Sequence, residues 1–356
     1  MKLHFPNSYA EIDLHAMTDN LHEMKRRMSA GKILSVVKCN AYGLGAVRIA
    51  KQIEPEVDWF GVAFVDEAIE LRMGGIKKPI LVFGVPSART AAAYQTHGLT
   101  ATISDLTHFS MLMDGTKYHL NFDTGMNRLG FSPDQAEEVR KMAVANQRLI
   151  CSGIYSHYSM ADDPGSDEVK EQLNTFKEIL EMFKEVPLVH ICNTGGAVHY
   201  DLEEFDMIRT GLVHLGYAAG DVQPEWLTPV MTWKSRVVQI KKIKKGERVS
   251  YGGTWTAPED CFIGTVPVGY GDGVPRSLSN KLEVSVDGKR YRVAGNVTMD
   301  YIMINLGQEK LPVDSEVTIM GGDAWNAARW AKEAGTNVHE ILTGLSDRMA
   351  RSYTNY

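Results

Sequence analysis

The stretch Ile33-Leu34-Ser35-Val36-Val37-Lys38-Cys39-Asn40-Ala41-Tyr42-Gly43-Leu44-Gly45 puts a lysine at the carboxyl end of an apolar run. A glycine-bearing loop follows, and then a helical pattern, so the segment reads as strand, loop and helix. A lysine partly desolvated at such a strand end loses some of its preference for the charged form. A neutral amine can attack an aldehyde. A lone strand-end lysine is more often one that snorkels its charge into water, so the rest of the chain must decide between the two readings.

The same alternation runs outward from this stretch. Upstream, Leu14, Met17, Leu21, Met24 and Met28 share one helical face, with Asp13 as the N-cap. Apolar or β-rich runs recur at 33–38, 58–64, 79–84, 100–104, 117–123, 149–157, 188–193 and 207–211. Helical patterns lie between most of them, such as Val169, Leu173, Phe176, Leu180 and Phe183, and the stretch 66–73 closed by Gly74-Gly75. Eight strands alternating with helices predict an α/β fold with an N-terminal (β/α)8 TIM-like barrel, an open doubly wound sheet being the competing arrangement. Past residue 229 the segments 231–240, 247–251, 261–268, 282–286, 290–294, 301–306 and 315–320 are short, β-branched and separated by turn residues. Asp287-Gly288 marks a hairpin, and two helical stretches, 324–334 and 338–346, come last. The expectation is a barrel over 9–228 and a C-terminal mainly β domain over 229–356, with residues 1–8 packing against the latter.

Bulk properties narrow the function. The chain has 356 residues, 44% of them hydrophobic, enough for a sizeable core. Its formal charge of −6 is spread without blocks, which argues against a nucleic-acid partner. The four cysteines, 39, 151, 192 and 261, form no Cys-x-x-Cys pair and fit reduced core positions, with no metal site expected. Neither a signal peptide nor a membrane-length apolar run is found, so a cytoplasmic protein with no membrane partner is expected.

A barrel carries its chemistry at the carboxyl ends of its strands. Those ends offer Lys38, Arg128, His157, Asn193-Thr194 and Arg209. Taken singly, each reads as a rim or surface residue; their convergence on separate strands points to one shared site. The loops Arg209-Thr210-Gly211-Leu212 and Asn193-Thr194-Gly195-Gly196 suit a phosphate dianion, with Tyr42 able to donate a further hydrogen bond. An aldehyde-bearing phosphate cofactor, pyridoxal 5′-phosphate, satisfies both the lysine and these loops.

Several motifs together resemble the alanine racemase family. They are Val36-Val37-Lys38-Cys39-Asn40-Ala41-Tyr42-Gly43, Asp123-Thr124-Gly125-Met126-Asn127-Arg128-Leu129-Gly130, the segment around His157, and Asp206-Met207-Ile208-Arg209-Thr210-Gly211. Ser250-Tyr251-Gly252, Gly269-Tyr270-Gly271-Asp272-Gly273 and Met299-Asp300 continue the match through the second domain in the family's order. The resemblance implies a racemase interconverting L- and D-alanine for cell-wall precursor supply, and a homodimer, paired head to tail, whose active sites are shared between subunits. It makes Lys38 both the Schiff-base lysine and the base acting on the D-enantiomer. Tyr251, from the partner subunit, becomes the base for the L-enantiomer. Because a phenol has a pKa near 10, it needs a cationic neighbour, for which the resemblance offers His157, hydrogen-bonded to Arg209. Arg209 also faces the pyridine nitrogen, Arg128 touches the cofactor's phenolic oxygen and the substrate carboxylate, and Tyr270, Met299 and Asp300 line the substrate end and its access channel. Tyr353 is a candidate phosphate contact.

The chain departs from the family pattern at three places. Asn121 stands where many relatives carry a carbamylated lysine, so a bound chloride is expected beside Asn121 and Arg128. Thr210 replaces a proline and Thr194 a serine. Asparagine at 121 also keeps open a serine-acting or broad-specificity racemase. A non-catalytic cofactor carrier on a similar barrel would lack both the β domain and a counterpart of Tyr251.

Overall fold

The computed structural model describes residues 7–28, 31–200, 205–220 and 222–355. These divide into two compact units.

The larger unit, Thr18–His214 with Ala218–Leu227, is the barrel. Its strands are β2 (Lys32–Val36), β3 (Trp59–Val62), β4 (Ile80–Val82), β5 (Thr100–Ile103), β6 (Lys117–Asn121), β7 (Ile150–Tyr155), β8 (Val189–His190) and β9 (Met207–Thr210), after an earlier strand β1 (Tyr9–Asp13). They run parallel in the order β8-β7-β6-β5-β4-β3-β2-β9. The remaining seam, β8 to β9, is bridged by Asp206 N–H to Val189 O (3.0 Å) and Arg209 N–H to Cys192 O (3.0 Å). Strands buried on both faces read as continuous apolar runs, which is why all eight were visible in the sequence. The first helix covers Leu14–Arg27, and Asp13 caps it by accepting from Ala16 N–H at 3.0 Å.

What the runs concealed is a polar interior. Ser35, Thr102, His119, His190, Thr210 and His214 are all completely buried within this unit. Thr102 donates to Val82 O (2.7 Å) and therefore accepts from the Tyr155 hydroxyl (3.0 Å). Tyr155 in turn lies flat on His190, ring centroids 5.0 Å apart.

The smaller unit, Met1–Met17, Leu215–Tyr217 and Thr228–Tyr356, is built on β-sheet. Its six-stranded sheet places β1 between Met231–Arg236, antiparallel, and Ala350–Thr354, parallel. Of the range 9–228 expected for the barrel, β1 finds its hydrogen-bonding partners in this sheet. Residues 1–6, expected to pack here, lie outside the described residues; Asn7 O accepts from Ser235 Oγ (2.9 Å) and Ser8 O from Ala350 N–H (3.3 Å). The run 231–240 divides into Met231–Arg236 and Gln239–Ile243, which belong to different sheets. The Asp287-Gly288 hairpin forms with both residues left-handed, φ 48° and 77°, joining Glu283–Val286 to Lys289–Arg292. No helix among the described residues is long and apolar enough to cross a membrane.

Candidate active site

Lys38 follows β2 and leads a left-handed turn. Cys39, Asn40, Ala41 and Tyr42 all have φ between 50° and 55°, and Gly43 continues at 83°. A left-handed conformation costs a residue with a Cβ about 1–2 kcal/mol, so the turn stores roughly 4–8 kcal/mol and must be held from outside. It is held by Ala41 N–H to Val37 O (2.9 Å), Gly43 N–H to Cys39 O (2.8 Å), Ala46 N–H to Asn40 Oδ1 (2.8 Å) and Cys39 N–H to Glu67 Oε1 (2.6 Å). The turn leaves Lys38 half-buried. Burial, and then the Arg128 guanidinium, push its amine below the ordinary lysine range.

Arg209, inside β9, is 3% exposed and is the hub of the site. Its Nη2 donates to Ser156 O (2.7 Å), His157 Nδ1 (2.9 Å) and Ile191 O (3.1 Å), while Nη1 donates to His190 Nδ1 (2.7 Å). A guanidinium has donors only, so both imidazoles must accept at Nδ1 and, when neutral, carry their proton on Nε2. His190 Nε2 then donates to His119 Nδ1 at 2.9 Å, and the His119 Nε2–H at the end of this chain has no hydrogen-bond partner. Burial and the neighbouring guanidinium hold His157 and His190 well below the usual imidazole range and bring His119 down to about 3. Burial and the Arg209 guanidinium thus favour a neutral His157, with Arg209 as the cation behind it. Burial lowers Arg209 itself to about 10, which leaves it charged at neutral pH.

Across the barrel mouth, Tyr42 and Gly211 meet. A Cβ on Gly211 would stand 2.1 Å from the Tyr42 hydroxyl, so only glycine lets the loop backbone come against that phenol. Gly211 N–H reaches Thr194 Oγ1 at 3.3 Å, and Thr194 and Thr210 hydroxyls lie 3.4 Å apart. These are long bonds among groups that include two hydroxyls and a backbone N–H, a donor set suited to a phosphate. Asn193 is turned elsewhere: its Nδ2 donates to Tyr158 O (3.1 Å) and its Oδ1 accepts from Gly196 N–H (3.0 Å). Leu212 is fully buried. A lysine amine with a lowered proton affinity at one place and a phosphate-type cradle at another fit pyridoxal phosphate.

Arg128 is exposed on the loop after β6. The loop is pinned by Phe131 N–H to Asn121 O (2.9 Å) and Asp123 N–H to Phe131 O (2.9 Å), and Asn121 Nδ2 donates to Leu129 O (3.0 Å). Asn121 thus braces the segment that presents Arg128.

The remaining candidates belong to the β unit. Tyr251, in a short turn, is 75% exposed, and its carbonyl accepts from Asn296 Nδ2 (2.8 Å). Tyr270 and Met299, 45% and 53% exposed, sit on adjoining segments joined by Tyr270 N–H to Thr298 O (2.9 Å) and Gly271 N–H to Met299 O (2.9 Å). Arg348 bridges Asp300 (2.9 Å) and the buried Asp272 (3.2 Å), welding these segments to the C-terminal one. Tyr353 is half-buried in the strand Ala350–Thr354, opposite Ile12 of β1. Sequence reasoning missed Glu67, His119, His190 and Arg348. The only signal for His119 was its place two residues before Asn121, on the same side of a strand.

Comparison with known proteins extends over the whole chain. The family description "Alanine racemase, N-terminal domain" matches residues 12–219, and "Alanine racemase, C-terminal domain" matches 230–353. The chain is 36% identical over 365 residues to the alanine racemase of Symbiobacterium thermophilum, covering 97% of each, and 37% identical over 360 residues to that of Streptococcus pneumoniae, again covering 97% of each. Among solved structures, the alanine racemase of E. faecalis superposes with a TM-score of 0.94 at 30% identity, covering 99% of this chain and 100% of that one. The Bacillus anthracis alanine racemase with bound L-Ala-P gives 0.91 at 32% identity, covering 99% and 96%. From its motifs, its barrel and these relatives, the chain belongs to the alanine racemase family.

Proposed function

We propose that the chain interconverts L- and D-alanine using two bases, Lys38 and Tyr251, the tyrosine supplied by a second copy of the chain. The observation that carries this reading is the convergence of Lys38, His157 and Arg209 at matching ends of separate barrel strands, with Arg209 donating to His157. Pyridoxal 5′-phosphate, the cofactor of this family, supplies an electron-withdrawing system that acidifies the Cα–H of a bound amino acid. Lys38 would hold the cofactor and, with its amine freed once the substrate's own amine takes that place, would move a proton at Cα on one face; Tyr251 would move one on the other. His157, neutral and protonated at Nε2, can donate to the Tyr251 oxygen and so stabilise its phenolate. It cannot take the phenol's proton at Nε2, and the Arg209 charge behind it strengthens its donation. Arg209, permanently charged, cannot supply a proton to the pyridine nitrogen, which keeps electron withdrawal moderate and favours return of the proton over side reactions. Tyr42, Thr194 and the Gly211–Leu212 backbone bind the phosphate, with Asn193 shaping that loop and Tyr353 a further contact. Arg128 orients the substrate carboxylate, and Tyr270, Met299 and Asp300 bound the space for its side chain. A chloride beside Asn121 and Arg128 supplies the negative charge that a carbamylated lysine carries in relatives.

The test is absorbance and turnover together. The purified protein, supplied with the cofactor, should absorb near about 420 nm, lose that band on borohydride reduction with the label on Lys38, and racemise alanine. A colourless, inert protein ends the reading. Turnover of L-serine above L-alanine across a substrate panel would favour the broader racemase, and anomalous scattering from a bromide soak that shows no peak beside Asn121 would remove the chloride.

A further inference from the structure

Four successive left-handed residues carrying side chains do not hold themselves in place, and the clamp at the Lys38 end of the turn comes from another strand–helix unit. Glu67 lies in the first turn of the helix Val65–Met73, which follows β3. Its Oε2 accepts from Ala63 N–H (2.7 Å) and Phe64 N–H (3.0 Å), the ordinary duty of a carboxylate near a helix start. Its Oε1 leaves that helix and accepts from Cys39 N–H at 2.6 Å, shorter than the other three bonds named above for the turn. Cys39 is the residue directly after Lys38 and the first with positive φ. One carboxylate thereby ties the loop after β2 to the loop after β3 through three backbone donors.

We propose that Glu67 is a positioning residue for Lys38: by gripping the Cys39 amide it fixes the backbone from which the lysine side chain hangs, and so the direction in which the amine meets a carbonyl carbon. The inference rests on the reading of Lys38 as the carbonyl-binding amine. The same carboxylate also acts on the amine through space, raising its proton affinity against burial and Arg128. A helix cap alone would do neither, so the two roles can be separated.

The experiment uses the cofactor-free protein and pyridoxal, which lacks the phosphate and so bypasses the phosphate loops. The amine adds to the aldehyde with loss of water; borohydride then delivers hydride to the C=N bond, leaving a stable secondary amine found by peptide mass. The rate of labelling at Lys38 is followed against pH. For Glu67→Gln the plateau rate at high pH should fall about tenfold from loss of orientation, while the midpoint moves to lower pH from loss of the carboxylate charge. A lower melting temperature with plateau and midpoint both as in the parent protein would overturn the proposal, since that is all a cap can give. Asn326→Ala, which uncaps the helix Ala327–Ala334, is the control: it should lower stability and leave the labelling of Lys38 alone. No label on Lys38 in the parent protein would instead bring down the reading of the lysine itself. If Glu67→Gln does not fold, selective 15N labelling of the four cysteines in the parent protein serves. A Cys39 amide shifted downfield and slow to exchange supports the clamp; one exchanging at unprotected rates overturns it.

Discussion

The barrel mouth and the exposed face of the β unit hold their functional side chains in opposite ways. In the barrel, Arg209 is buried, and its Nη1 and Nη2 donate to two imidazoles and two carbonyls, which fixes the plane of the guanidinium. In the β unit, Tyr251, Tyr270 and Met299 are anchored through their backbones, and their side chains are exposed. Large aromatic and methionine side chains exposed in this way are available to a partner. The first arrangement is preorganised within one chain. The second supports the reading that these groups complete a site on a second copy.

The contrast can be broken at several points, the largest effect first. Tyr251→Phe should cut the rate of L-to-D racemisation by about 10²–10⁴-fold while moving stability by less than about 0.5 kcal/mol, because the lost hydroxyl is a base on an exposed ring. Circular dichroism of the amino acid and urea unfolding measure the two; normal racemisation by this variant would remove Tyr251 as the second base. Arg209→Met should instead damage stability and activity alike. It strands buried carbonyls and imidazole nitrogens, at a cost of about 3–5 kcal/mol in urea unfolding.

Acid separates the regions further. His119 and His214 are brought to about 3, and His157 and His190 well below the ordinary range, by burial, with the Arg209 guanidinium adding to it at His119, His157 and His190. Because their folded values lie below the unfolded value of about 6.5, the unfolded chain binds more protons below that pH. Stability is therefore complete above about pH 6.5 and falls as the pH drops, by up to roughly 1.4 kcal/mol per pH unit for each such histidine. Urea midpoints between pH 6.5 and 5 should show this slope, and replacing His214 by Leu should make it shallower. The smallest effect belongs to the phosphate loop. Thr194→Ser keeps the hydroxyl and should leave cofactor affinity within about threefold, whereas Thr194→Val should weaken it about tenfold, the worth of one hydrogen bond. Titration of the cofactor-free protein by fluorescence compares them.

The parts of this molecule that could be read locally were read. Lys38, His157, Asn193 and Arg209 each interrupt or end an apolar run, and the run itself announces a strand with a defined carboxyl end. The turn after Lys38 was not legible, because Cys39, Ala41 and Tyr42 have no intrinsic preference for positive φ; distant hydrogen bonds impose it. Glu67 looks like any acidic residue in a first helical turn until its second oxygen is traced. His119 and His190 sit inside short strands, where a buried histidine cannot be told from an outward one by sequence alone. The strand Ala350–Thr354 and its pairing with β1 were not legible, because a pairing across nearly the whole chain leaves no local trace.

That pairing orders events during biosynthesis. Ile12 precedes its partner Tyr353 by 341 residues, and at about 5–20 residues per second the wait between them lasts tens of seconds. Throughout it, β1 has a bare edge, while every barrel strand from β2 to β9 is translated within the wait and can close on its own neighbours before Tyr353 follows. During synthesis β1 is thus the strand left longest open to mispairing, and a chaperone that shields it would act before the barrel is complete.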